Sequence, residues 1–248
     1  MAIPRVVTFG EIMLRLSPPG FERFFQSPVL GATFGGGEAN VAASLAQFGF
    51  DVSYVTRLPK HAIGDAAIKA LRAEGVDTRH ILRGGERVGI YFAEAGASQR
   101  ASTVIYDRAH ASIADCGPGM IDWATVLDGA SWFHTTGITP ALGAATTGAA
   151  AEAIACAKAK GVGVSIDLNF RKKLWSTTQA QAAMRPMVQG IDLVIANEED
   201  IQAVLGIEVA HTDVTAGVLD VASYRAVAER VCREFAVKRV AITLRESH

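Results

Sequence analysis

Gly35-Gly36-Gly37-Glu38-Ala39-Asn40-Val41-Ala42 stands directly before a run of helical period, with Ala43, Leu45, Ala46 and Phe48 following and Gly49 closing it. Consecutive glycines let backbone N–H groups approach a ligand closely, and the start of a helix adds positive potential. The run is not a P-loop, because no Gly-Lys-Ser/Thr follows, and it lies too far from the first strand to be a dinucleotide fingerprint. Outward from it, β-branched or aromatic runs recur at residues 6–9, 52–56, 131–134, 162–167, 193–196 and 239–244, with helix-like segments between most of them. That alternation predicts an α/β fold, a mainly parallel sheet flanked by helices. Thr139 followed by Pro140 reads as a helix cap and first-turn proline, and Asn197 followed by Glu198 and Glu199 as a cap with acids at the positive end.

A chain of 248 residues, 50% apolar, is long enough for one sizeable α/β domain with or without a small lid. Its formal net charge of -1 gives the surface no drive toward nucleic acid or anionic lipid. Cys116, Cys156 and Cys232 are widely spaced and form no metal-ligand pattern, which fits a reducing compartment. No leader-like apolar segment precedes Arg5-Val6-Val7-Thr8-Phe9, and no apolar stretch approaches bilayer length. The expectation is a soluble cytoplasmic protein without nucleic-acid or membrane partners.

One stretch breaks the α/β rhythm. Residues 88–94 and 102–106 are strand-like and joined by the small, polar segment 95–101, which reads as a β-hairpin. With the extended-looking stretch 24–34 it forms either a lid or a plain edge extension of the sheet. Alternation along the second strand puts Tyr106 and Arg108 on one face, where they can reach one ligand together. Both tyrosines, Tyr91 and Tyr106, are equally packing residues if the hairpin is only an edge. The run 162–167 reads as a buried strand delivering Asp167, Asn169 and Arg171 to its carboxyl end, where open α/β sheets bind ligands. Arg171 is suited to planar, two-point contact with a carboxylate or phosphate.

Gly-Gly-x-x-x-Asn-x-Ala at residues 35–42, followed by Gly49, resembles the first signature of the ribokinase-type (PfkB) carbohydrate kinases. Glu38 stands where the general signature has a small residue and Pro59 where it has glycine; the glutamate resembles the 2-keto-3-deoxygluconate kinase branch. The resemblance continues through Gly64-Asp65, Tyr91, Tyr106-Asp107-Arg108, Asp167-Leu168-Asn169-Phe170-Arg171-Lys172-Lys173-Leu174-Trp175 and Asn197-Glu198-Glu199-Asp200, nearly the whole chain. It implies a ribokinase-like α/β domain over 1–248, with lid strands near 24–34 and 88–107. The implied activity is ATP- and Mg2+-dependent phosphorylation of a sugar-acid hydroxyl. By resemblance, Gly35, Gly36, Asn40, Tyr91, Tyr106 and Asn169 meet the sugar, and Arg108 and Arg171 its carboxylate. Asn197, Asp200 and Thr243 serve the nucleotide side, with Asp200 acting on the metal indirectly. Arg15 stands where relatives that take neutral sugars carry an aspartate. Such lids pair between subunits in the resembling kinases, so a homodimer through the lid is also expected.

The family's base lies in a Gly-x-Gly-Asp motif at a helix start, and no such motif occurs here. The expectation is therefore a C-terminally incomplete kinase, inactive as this chain, with its base beyond His248. A fructokinase-like neutral-sugar kinase and a non-catalytic sugar-binding protein are the alternatives.

Overall fold

The computed structural model describes residues 3–208 and 221–243. The chain divides into two units, Met1–Cys116 and Gly117–His248, each with its own core.

In the first unit, strands β1 (Arg5–Phe9), β2 (Met13–Ser17) and β3 (Gly31–Gly35) lead into helix α1 (Gly37–Gln47) and strand β4 (Asp51–Val55). Next come the short β5 (Arg57–Leu58), helix α2 (Ala62–Ala73), the short β6 (Leu82–Arg83), and strands β7 (Ile90–Glu94) and β8 (Thr103–Asp107). β1 pairs in parallel with β4, matching Val7 to Ser53 and Phe9 to Val55. α1 packs on both strands. Val7, Phe9, Ala42, Tyr54 and Val55 are fully buried, as expected of parallel strands covered by a helix. Gly49, at φ +86°, ends that helix in the left-handed region that glycine tolerates best.

This unit also holds a separate four-stranded mixed sheet, in the order β3-β2-β7-β8, and a two-stranded sheet of β5 and β6. β7 and β8 are the antiparallel hairpin read from residues 88–106. Of the stretch 24–34, only residues 31–34 lie in a strand. The fourth strand is β2, parallel to β7.

The second unit runs through α3 (Trp123–Val126), β9 (Trp132–Thr136), α4 (Ile138–Ala141), α5 (Ala144–Ala159), β10 (Gly163–Asp167), α6 (Thr177–Val188), β11 (Leu193–Ala196), α7 (Glu198–Asp200), α8 (Val221–Phe235) and β12 (Arg239–Ile242). Its four strands are all parallel, ordered β12-β11-β10-β9, and a helix intervenes between each consecutive pair. The expected strand 239–244 ends earlier, at Ile242, and Leu244 lies outside the described residues. Thr139 is not a cap: α4 begins at Ile138 behind Gly137, so Thr139 and Pro140 both sit inside it. A Cβ on Gly137 would meet the carbonyl of Leu168, so close packing selects glycine there. Asn197 is the cap expected, its side chain accepting from Asp200 N at 2.7 Å.

Among the described residues, no helix is long and apolar enough to cross a membrane.

Candidate substrate and nucleotide site

In the first unit, strand pairing sets one face of the mixed sheet. Thr33, Arg15, Tyr91 and Tyr106 are successive cross-strand partners, so their side chains share a face. The rings of Tyr91 and Tyr106 stand 6.0 Å apart. The Arg108 guanidinium lies 5.4 Å from the Tyr106 ring centroid, within cation–π range. Tyr106 is 45% exposed, so this face is open to a ligand.

The glycine run meets the same face. A Cβ on Gly35 would fall 3.3 Å from Tyr91 Oη and 3.4 Å from Asn40 Oδ1, and Gly36 N donates to Asn40 Oδ1 at 3.4 Å. Gly36 also has a structural duty, because a Cβ there would collide with the Glu11 carbonyl and stand 3.3 Å from Ile12 Cα. Five of the residues read from the sequence, Gly35, Asn40, Tyr91, Tyr106 and Arg108, thus neighbour one another in a single unit.

Behind this face lies a cluster that sequence reading missed. Arg108 Nη2 donates to Glu11 Oε2, and the side chains of the pair are 10% and 2% exposed. Glu38 is 1% exposed; its carboxyl group lies where a Cβ on Gly10 would be. The Glu11 carboxyl packs equally against Gly89, whose Cβ would lie 2.6 Å from Oε1. Burial pushes the Glu11 carboxyl up to about 7; Arg108 opposes this and Glu38 adds to it. Tyr54, fully buried and donating to Gly10 O at 2.7 Å, is pushed up by burial and then by the same two glutamates. The available signals were Glu11 behind Gly10 and the unusual Glu38, but 97 residues separate Glu11 from Arg108.

Arg15 reaches Ser17 Oγ with its Nε at 3.1 Å and is exposed on the same sheet face as Tyr91. Tyr91 is pushed up by burial, with Arg15 opposing.

In the second unit the expected residues gather at the carboxyl ends of the parallel strands. Asp167 ends β10, and Asn169 follows in the left-handed region at φ +39°, its N–H donating to Asp167 Oδ1 at 3.1 Å. Asparagine suits that conformation because its short polar side chain tolerates it. Arg171 is exposed, with Nη1 donating to Phe170 O at 3.0 Å. Thr243 follows β12 and donates its N–H to Ala196 O at 2.9 Å, which sets it beside Asn197.

Asp200 is 8% exposed, and its Oδ1 accepts from Phe170 N at 3.2 Å. It therefore ties the 167–171 loop to the start of α7, a role the sequence did not reveal. Among the described residues, no three His, Cys, Asp or Glu side chains gather to hold a metal ion.

Comparison with known proteins matches residues 4–244 to the pfkB family carbohydrate kinases. A 2-dehydro-3-deoxygalactonokinase of Haloferax volcanii is 36% identical over 203 residues, covering 82% of this chain and 64% of that protein. The chain thus spans less than two thirds of that curated relative's length. The solved structure of 2-dehydro-3-deoxygluconokinase from Thermotoga maritima is 52% identical with a TM-score of 0.93, over 98% of this chain and 73% of that one. A PfkB family carbohydrate kinase structure from Listeria grayi is 33% identical, TM-score 0.83, over 91% of this chain and 68% of that one. The parallel strands with flanking helices, the small mixed sheet and the glycine run beside it are accordingly the ribokinase-like architecture, and the chain belongs to the pfkB family carbohydrate kinases.

Proposed function

We propose that the protein is an ATP-dependent sugar-acid kinase that transfers the γ-phosphate to a hydroxyl of a 2-keto-3-deoxy sugar acid such as 2-keto-3-deoxygluconate. The observation that carries this reading is the meeting of Gly35, Asn40, Tyr91 and Tyr106 on one open face, with the Arg108 guanidinium against the Tyr106 ring at its edge. Amide and phenol groups suit sugar hydroxyls, and a guanidinium suits a carboxylate. The likeness to kinases named for 2-dehydro-3-deoxy sugar acids supports the same substrate class.

In this reading Arg108 and Arg171 are carboxylate contacts, and Gly36 and Asn169 border the sugar. Asn197 and Thr243, at adjacent strand ends, face the nucleotide. Phosphoryl transfer depends on positioning and on charge stabilisation, which Mg2+ supplies at the phosphates. The residues present fit a metal that arrives with the nucleotide, held mainly by phosphate oxygens and water. The buried Asp200 carboxylate accepts from Phe170 N, so its effect on the metal is indirect. No base is assigned among these residues, since the sequence holds no Gly-x-Gly-Asp. A cytoplasmic location and a homodimer through the mixed sheet complete the proposal.

Calorimetry with 2-keto-3-deoxygluconate and fructose is the test. The acid is expected to bind at least about tenfold more tightly than fructose, and Arg171→Gln to weaken the acid by about tenfold while leaving fructose unchanged. Equal affinity for the two sugars would favour a fructokinase-like site, and acid binding with no binding of ATP a sugar-binding protein.

A further inference from the structure

The proposed carboxylate contact Arg108 is not a free cation waiting at the surface. It is held from behind by Glu11, and Glu38 crowds the same buried space. With both carboxyls ionised, the negative charge of Glu38 would act on Glu11 away from water, an arrangement that favours protonating Glu11. Among the described residues, Glu11 Oε1 and Arg108 Nε are buried and have no hydrogen-bond partner. Glycines at positions 10 and 89 supply the space in which the two carboxyl groups lie, so the cluster is built into the backbone and not a chance contact.

Resting on the sugar-acid reading, we propose that Glu11 is a positioning residue for Arg108 and that it takes up a proton from solvent when the substrate's carboxylate seats on that arginine. The titratable and charged groups facing Glu11 are Arg108 beyond the end of β8, Glu38 of α1 and Tyr54 of β4. Tyr54 stays neutral because burial holds its proton on, and Arg108 stays charged. Glu11, in direct contact with the arginine, is therefore the group that responds. Before binding, an ionised Glu11 neutralises Arg108. An arriving carboxylate adds a negative charge beside it, and the proton transferred from buffer to Glu11 removes the repulsion. The resulting carboxylic acid still accepts from Arg108 through its carbonyl oxygen, so the guanidinium keeps its place beside Tyr106. A neutral sugar brings no charge and calls for no proton. The site then selects acids over neutral sugars most strongly where Glu11 can be protonated.

Calorimetry of the protein with 2-keto-3-deoxygluconate, repeated in buffers of different ionisation enthalpy, tests this. Wild type at pH 7.5 is expected to take up a substantial fraction of one proton per acid bound and none per fructose. Its affinity for the acid should fall by up to about tenfold per pH unit above pH 7. Glu11→Gln mimics the protonated side chain, so it should bind the acid at every pH as wild type does at pH 6, with no proton uptake. Glu11→Ala removes the acceptor and should weaken the acid at all pH values. Proton uptake by wild type needs no variant, which keeps the test valid if a substitution prevents folding. Acid binding without proton uptake, or wild-type pH dependence retained in Glu11→Gln, overturns the assignment of Glu11 while leaving the sugar-acid reading intact. Failure of wild type to prefer the acid at pH 6 overturns that reading itself.

Discussion

At the scale of single residues, two buried titratable groups give the two units opposite responses to pH. Glu11 is pushed up from 4.5 to about 7, so between those values the folded form holds a proton that the unfolded chain has released. The first unit therefore loses stability as pH rises through that window, on the order of 3 kcal/mol in all. Glu11→Gln should flatten that part of the stability profile, which chemical denaturation at a series of pH values measures. His134 behaves oppositely. Burial pushes its imidazole from 6.5 down to about 4, with Nδ1 2.8 Å from Ser165 Oγ, so the second unit loses stability as pH falls from 6.5 toward 4. His134→Gln should reduce that acid sensitivity in the same measurement. Gly36 gives a third residue-scale test, since the Glu11 carbonyl that its Cβ would strike belongs to the backbone and cannot rotate away. Gly36→Ala is expected to cost about 1–3 kcal/mol, read as a lowered Tm.

At the scale of elements, Asn197 caps α7 and Asp200 pins the 167–171 loop, so the two can be separated. Asn197→Ala should cost about 1 kcal/mol in denaturant unfolding. Asp200→Ala should speed amide exchange at Phe170, whose N–H it holds. These elements also show what the sequence could and could not reveal. β1, β10 and β11 were legible because parallel strands covered by helices are nearly continuous apolar runs. The hairpin was legible because two such runs flank a small polar segment. β2 was overlooked: Met13–Ser17 follows four residues after β1, and its mixture of Arg15 and Ser17 with apolar residues fits an open sheet as well as a loop. Thr139 misled because a hydroxyl before proline matches a cap locally, whereas the close approach of the Leu168 carbonyl to Gly137 decides where α4 starts.

At the scale of the whole molecule, the family pattern runs through nearly the entire chain, and the residues that the resemblance pointed to lie near one another within each unit. What stayed hidden was the support behind them. The ion pair between Glu11 and Arg108 joins the loop after β1 to the residue just past β8, and no local pattern links positions that distant. Charge also reads differently once burial is known: an arginine that looks like an exposed anion contact proves to be an inner residue already partnered. Substrate recognition is accordingly expected to use Arg108 as a supported, preorganised group. A crystal structure of the protein with 2-keto-3-deoxygluconate tests this most directly. It should place the carboxylate within hydrogen-bonding reach of the Arg108 guanidinium, the sugar hydroxyls beside Asn40 and Tyr91, and Glu11 still against the far side of the arginine. A bound sugar acid whose carboxylate touches neither Arg108 nor the tyrosines around it would contradict the account.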